Sequence, residues 1–453
     1  MTNPSRPARP LLIVFLLLAA ALFLPAMALA DTSQREAELE ERVAELERLV
    51  HRLLAEREED QRETAGMRER VESVDERVAA VEDKPPGQTK VTRSDETRFT
   101  YGGYIKTDIL MTRFSDGSLP ARNVGRDFYV PATVPVGGER SGTDFDAHVK
   151  ESRFWFRTDT TLDNGEDISG YLEFDFTSGA PGGDERLTNA YSPGIRHAWL
   201  SYRNWLVGQT WSNFFIVGAL AENLDFVGPA EGTVFVRQPM IRYDNGPWQF
   251  SVENPETTVT PFGGGARIVT DTGWAPDVTA RYNLSGDWGS FSVAGLARQM
   301  AVRTNGSRET ETGFGISAGG TLSVGERNDI RYMATYGSGI GRYLGLNTTN
   351  DAVLTEDGSL EAIDAYGGFV SYRHFWTPNW RSNFTLSGQW IDNDISLTGT
   401  GATKESVSGH VNLIHQVNSA LSFGVEYIYA RRKIESGESG DMNRLQFSGM
   451  YHF

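Results

Sequence analysis

Beyond Arg98 the chain alternates between long links and tight turns, and few folds accommodate that pattern. Between the links lie segments with apolar residues at every second position. Ile168, Gly170, Leu172, Phe174 and Phe176 alternate with Ser169, Tyr171, Glu173 and Asp175, and Val278, Ala280, Tyr282 and Leu284 with Thr279, Arg281 and Asn283. Phe384, Leu386, Gly388 and Trp390, and later Leu421, Phe423, Val425, Tyr427 and Tyr429, repeat the pattern. A period of two is that of a strand with one apolar face, and each run is about 9–11 residues, the length of a tilted bilayer-spanning strand. Long links are expected at 114–147, 177–193, 212–233, 255–275, 301–310, 338–360, 392–402 and 433–441. Tight turns fall near Asp163-Asn164-Gly165, Arg203-Asn204, Asp244-Asn245-Gly246, Ser285-Gly286-Asp287, Gly325-Glu326-Arg327, Thr377-Pro378-Asn379 and Asn418-Ser419. Eight long and seven short connections join sixteen strands. Soluble sandwiches also have short, evenly spaced strands, but nothing in them requires long and short links to alternate. The pattern predicts an all-β transmembrane barrel of sixteen antiparallel strands over 98–453, a size that leaves an aqueous channel open.

No later segment is an apolar run long enough to span a bilayer as a helix, so strands must carry the crossing. At the start, Arg6 and Arg9 precede the apolar run Leu11 to Phe23, and Ala28-Leu29-Ala30 supplies small residues before Asp31. This reads as a cleaved secretory signal over 1–30 rather than a retained anchor, because the run is shorter than the ~20 residues a membrane helix needs. Its removal takes away two arginines and no acid, moving the formal charge from −17 to −19, which excludes nucleic acid as a partner. The absence of cysteine removes disulfides and thiolate chemistry.

From Leu39 the apolar positions Leu39, Val43, Leu46, Val50 and Leu53 step by four and three, and Met67, Val71, Val74, Val78 and Val81 continue the frame. Arg57, Asp60 and Thr64 interrupt it. A two-in-seven stripe on a helix rich in Glu and Arg predicts a coiled coil over 31–83, hence an oligomer, with the number of strands left open. Lys84-Pro85-Pro86-Gly87 ends the helix and opens a linker over 84–97.

The chain closes on Leu445-Gln446-Phe447-Ser448-Gly449-Met450-Tyr451-His452-Phe453. Leu445, Phe447, Gly449, Tyr451 and Phe453 share one face, which a barrel turns to lipid. This segment is expected to close the barrel against the strand beginning near Phe99, leaving no exposed edge. The aromatic terminus of Tyr451 and Phe453 also resembles the signal read by the barrel-assembly machinery.

Three sequence words carry a family resemblance. Gly208-Gln209-Thr210-Trp211-Ser212-Asn213-Phe214, Glu222-Asn223-Leu224-Asp225-Phe226-Val227-Gly228-Pro229 and Val236-Arg237-Gln238-Pro239-Met240-Ile241-Arg242-Tyr243 resemble the DcaP-like outer-membrane porins, whose members also carry a periplasmic coiled coil ahead of the barrel. The resemblance implies a homotrimer in the Gram-negative outer membrane, surrounded by lipid and lipopolysaccharide. It further implies passive uptake of small anionic solutes, dicarboxylates in particular, without a cofactor. By position the link at 212–233 would be the third long loop, folded inward as a constriction, and it holds Glu222, Asp225 and Glu231. Those acids oppose anion selectivity unless facing arginines outweigh them.

Strand parity turns Arg281, Arg298, Arg331, Arg381 and Arg444 inward, and Arg153 and Arg157 share a face with Glu151. Around Pro239 parity fails, so a bulge is expected there, and Arg237 and Arg242 join the candidates. Guanidinium groups offer forked donors that match carboxylates and stay charged. For any one of them a salt-bridged spacer is the competing reading. Trp199, Trp205, Trp211, Trp248, Trp288 and Trp380 lie near strand ends, where interfacial girdles or trimer contacts want them. Seven scattered histidines assemble no catalytic set, and Gly263-Gly264-Gly265 lacks the lysine of a phosphate loop, so no enzyme is expected. A general size-selective pore and an envelope tether built on the coiled coil are the alternative functions.

Overall fold

The computed structural model describes residues 89–94 as backbone, and 97–140, 142–177, 188–304 and 306–453 in full. The signal peptide expected at 1–30 and the coiled coil at 31–83 lie outside the described residues. Of the expected linker at 84–97, Thr89–Ser94 forms a strand, β1, that pairs antiparallel with the first residues of β2 (Thr97–Phe114).

One half of the wall continues with β3 (Thr143–His148), β4 (Arg153–Thr161), β5 (Asp167–Asp175), β6 (Gly194–Tyr202), β7 (Trp205–Trp211), β8 (Arg237–Asn245) and β9 (Trp248–Glu253). Two short strands, β10 (Thr257–Thr260) and β11 (Ile268–Thr270), lie in the loop after it. The other half comprises β12 (Asp277–Gly286), β13 (Gly289–Thr304), β14 (Ser307–Val324) and β15 (Asn328–Ser338). After the loop strands β16 (Ala352–Leu354) and β17 (Leu360–Ala362) it is completed by β18 (Asp364–Thr377), β19 (Trp380–Asp392), β20 (Thr403–Gln416), β21 (Leu421–Ile434) and β22 (Ser439–His452). β3 and β4 occupy one position, both paired with β2, so sixteen antiparallel positions form the barrel. It closes where β22 pairs with β2 from Met442↔Phe114 to His452↔Tyr104, and Phe453 exchanges both backbone hydrogen bonds with Gly103.

Burial separates the faces. Ile105, Ile109 and Met111 of β2 point outward and are exposed, while Lys106, Asp108, Leu110 and Thr112 between them are buried inside. On β14, Phe314 and Ile316 face out and Gly313, Gly315, Ser317 and Gly319 face in. Trp205, Trp248, Trp288 and Trp380 stand on the outer face as expected. Trp199 and Trp211 do not, because each lies among lumen-facing groups, Trp199 against Tyr171 and Trp211 against His197.

Two of the long links are short. β13 and β14 remain paired to Thr304↔Ser307, and β21 and β22 to Lys433↔Ser439, so the residues assigned to links at 301–310 and 433–441 mostly extend the ladders. Both faces of these extensions are polar, as in Arg303-Thr304 against Ser307-Arg308, so no alternation of polarity marks them as strand. The bulge expected near Pro239 is also absent. β7 and β8 pair without a break, and Pro239 stands one residue outside the β8–β9 ladder, where a missing N–H breaks no bond.

The loops do more than cover the mouth. The third loop (212–236) lies inside the barrel, and the first (115–140) and sixth (339–363) fold in beside it. Phe214, Phe215, Ile216 and Ala219 of the third loop pack with Ile340, Tyr343 and Leu344 of the sixth against Leu296, Met333 and Phe369 of the wall. Phe128, Tyr129 and Val130 of the first loop meet Val227 and Ala230 of the third, over Ile428 and Met442. Near the mouth β10, β11, β16 and β17 form a separate four-stranded sheet joining the fourth and sixth loops.

Inner-wall glycines let the third loop lie flat. A Cβ on Gly315 would stand 2.8 Å from the Phe214 ring, and one on Gly232 only 2.3 Å from the Gly368 carbonyl oxygen.

Candidate lumen and constriction

The third loop runs along β14, β15 and β18–β22, and its three acids are turned into that wall. Glu222 sits between Arg381 (2.6 Å) and Arg373 (3.3 Å). Burial would raise its pKa, but Arg381, then Arg373 and Arg331, pull it down to about 2. Asp225 is buried, accepting the Tyr129 N–H (2.8 Å) and capping the turn at Val227 and Gly228, with Arg444 4.0 Å away. Burial holds its carboxyl above the usual range, partly offset by Arg444 and His410. Glu231 is fully buried beside the Tyr129 hydroxyl, and burial raises its pKa too, against the hydrogen bond from Ser408 and the nearby His410. None of the three presents a free carboxylate to the channel.

The expected arginines divide by what covers them. Arg298 and Arg444 point inward but are buried under loops. Arg298 binds Asp351 (2.9 Å) and the Gly339 carbonyl (3.0 Å), holding the sixth loop. Arg444 donates to Thr112 (2.9 Å) and to the Gly125 carbonyl, holding the first. Arg281 donates to the Phe215 carbonyl (2.9 Å) and to Gln249, fixing the start of the third loop. Arg331 reaches the Leu220 carbonyl (2.6 Å) and Asp329 (3.0 Å). Arg157 with Asp159, and Arg242 with Asp244, lie toward the tight-turn end.

A further basic group is on the opposite wall, on β4–β8. Arg196 binds Glu173 and Asp175, each at 2.7 Å, and Arg153 approaches the same acids at 3.4 and 3.9 Å. Arg237 completes the group. Among the described residues it has no ion pair or hydrogen bond, its Nη1 is buried without a partner, and its guanidinium lies 4.7 Å over the Trp211 ring. Arg196 rests between Trp211 (5.7 Å) and Phe226 of the third loop (5.4 Å). Among the described residues, three guanidinium groups meet two carboxylates here. Toward the tight-turn end Arg331, Arg373 and Arg381 likewise meet Asp329 and Glu222.

Arg196 is not legible from strand parity, and the reason is a bulge. β5 and β6 pair Glu173 with His197 but Phe174 with Ile195, so Arg196 is the extra residue and escapes the parity that would have turned it outward. A similar insertion between β3 and β4 turns Lys150 and Glu151 inward, where Glu151 meets Lys106. Arg373 is legible from strand parity, since it shares the face of Phe369 and Ser371 opposite Tyr366, Val370 and Tyr372.

A family model described as DcaP outer membrane protein matches residues 27–453. Among solved structures, the outer membrane channel DcaP of Acinetobacter baumannii superposes with a TM-score of 0.64 at 23% identity, covering 81% of this chain and 100% of that one. OmpT of Vibrio cholerae gives 0.48 at 10% identity over 80% of this chain and 100% of that one. An anion-selective porin from Comamonas acidovorans gives 0.47 at 10% over 79% and 100%. The comparison with curated proteins found no match.

Proposed function

From the premise that this chain belongs to the DcaP outer membrane protein family, we propose that it is an anion-selective passive channel for small solutes such as dicarboxylates. The coarser statement is established by the family: the protein is an outer-membrane β-barrel channel and not an enzyme. The observation that carries the anion reading is the Arg153–Arg196–Arg237 group, in which Arg237 has no acid of its own while the loop acids are committed elsewhere. A wall with surplus guanidinium groups in a narrow, low-dielectric passage attracts carboxylates and repels cations. No bound group takes part; flux follows the concentration gradient, and Arg237 supplies a transient forked partner to each passing carboxylate.

In this reading three copies assemble side by side, the tight-turn end and both termini face the periplasm, and 31–83 form a periplasmic coiled coil. Phe453 and Tyr451 serve as the assembly signal. Reversal potentials in planar bilayers under a salt gradient test the selectivity. Chloride preference over potassium is expected, together with faster permeation of succinate than of its uncharged diamide. Clear potassium preference overturns the reading, and equal permeation of the two solutes reduces the channel to a size filter.

A further inference from the structure

At the long-loop end of the barrel the fourth, sixth and seventh loops, with the ends of β20 and β21, enclose a cavity of about 440 Å³, within the range of small-molecule sites. Its frame is tied by backbone. The fourth and sixth loops share the parallel pair Val259↔Ala352 and a hydrogen bond from the Asn350 amide to the Thr260 hydroxyl (2.7 Å). The fourth and seventh clasp each other where the Gly263 N–H donates to the Leu397 carbonyl (2.7 Å). That approach requires glycine on both sides. Gly264 and Gly399 have φ of 93° and 74°, and a Cβ on either would stand 2.8 or 2.9 Å from a carbonyl oxygen of the facing loop. The clasp holds the lining groups in place before any ligand arrives.

Among the described residues no Asp or Glu lines the cavity, and its two charged groups are Arg267 and Arg432. Arg267 donates from Nε to Asn350 (2.5 Å) and from Nη2 to the Asn347 carbonyl. Arg432 donates from Nε to Thr403 (2.9 Å) and from Nη1 to the Ala132 and Val134 carbonyls (2.9 and 3.2 Å). Neither guanidinium has an ion pair among the described residues, and Arg267 Nη1 and Arg432 Nη2 have no acceptor there. Asp351, whose charge reaches Arg267, is buried against Arg298.

The neutral lining has the opposite bias. The hydroxyls of Thr348, Thr349 and Thr398 each donate to a backbone carbonyl, so their oxygens face a ligand as acceptors. A molecule that satisfies both sets carries an anionic group to accept from the guanidinium nitrogens and hydroxyls to donate to the threonines. A carboxylate on an apolar body would strip water from the threonine oxygens and give them nothing in return.

We propose that this cavity binds polyhydroxylated carboxylates of the sugar-acid type, the carboxylate on Arg267 Nη1 and Arg432 Nη2 and the hydroxyls on Thr348, Thr349 and Thr398. The site shares no residue with the Arg153–Arg196–Arg237 group and stands independently of the selectivity proposed for the passage. Gluconate, hexanoate and glucitol have equal carbon number, and only gluconate combines the acid with the hydroxyls. Titration calorimetry on the purified full-length channel should show gluconate binding about tenfold or more tighter than either of the others. Arg267→Gln, at an exposed position, should weaken gluconate by about tenfold. Thr398→Val should weaken gluconate by about threefold or more and leave hexanoate unchanged. Heat-modifiable gel mobility verifies that each variant is a folded barrel.

Equal affinity for gluconate and hexanoate in the native channel overturns the proposal whether or not the variants fold. Undiminished gluconate affinity in folded Arg267→Gln also overturns it. So does a loss of affinity in Arg237→Gln alone, which would place the bound acid in the passage instead.

Discussion

Arg237 and Glu222 show how charge is allotted residue by residue. Removing an unpaired guanidinium that faces the lumen changes the field felt by each passing ion by about 1 kcal/mol at contact in water-like surroundings, or roughly fivefold in a ratio. Arg237→Gln should therefore lower the chloride-to-potassium permeability ratio by that order without disturbing the barrel, as read by reversal potential and gel mobility. Arg298→Gln is expected to act differently. It strips Asp277 and Asp351 of their buried partner, so it should lower thermal stability, with little direct effect on selectivity. Glu222 has a depressed pKa, so its contribution to holding the third loop is present above its ordinary value of 4.5 and is lost only as pH falls through about 2. Anion preference should accordingly stay flat between pH 8 and pH 5 as far as this group is concerned. Glu222→Gln should raise it at every pH in that window, because Arg373 and Arg381 are released. A fall in anion preference in that variant would refute this assignment of charge.

At the scale of the element, the third loop is held by shape as much as by charge. Phe214 and Phe215 are fully buried, and each such side chain stabilises the inward position by about 1.5–3 kcal/mol relative to water. Gly232→Val would drive its Cβ into the backbone of β18 at Gly368, so the loop must leave the wall. The expected outcome is an intact barrel with altered single-channel conductance and reduced anion preference; unchanged conductance would mean that the loop does not bound the passage. The inward third loop was legible by position, and the inward first and sixth loops were not, although both carry apolar runs: Phe128-Tyr129-Val130 and Ile340 with Tyr343 and Leu344. Apolar residues in a long link signal burial without saying where. Bulges are likewise hidden, because one inserted residue leaves composition and periodicity on either side intact while exchanging the faces, as at Arg196.

For the whole molecule, closure is the decisive event. Phe453 exchanges two backbone hydrogen bonds with Gly103 and places its ring 5.6 Å from Phe154, while β1 pairs with the part of β2 that runs past the chain end. Deleting Phe453 should reduce the yield of folded, heat-modifiable barrel far more than the loss of one partly buried ring accounts for. Normal yield would refute its role as an assembly signal. Deleting 31–83 should leave a barrel that still conducts; an altered oligomeric state by native mass measurement would assign the coiled coil to assembly. The alternating polarity and the placement of the links and turns determined by themselves that this chain makes a sixteen-stranded barrel, which face meets lipid, and which residues close it. These are local properties, since a period of two follows from strand geometry wherever the strand lies. Which arginines remain unneutralised was decided only in three dimensions. Ion pairing, bulges and the covering of one half of the wall by three loops depend on distances between residues far apart in the chain, and neither spacing nor composition records them.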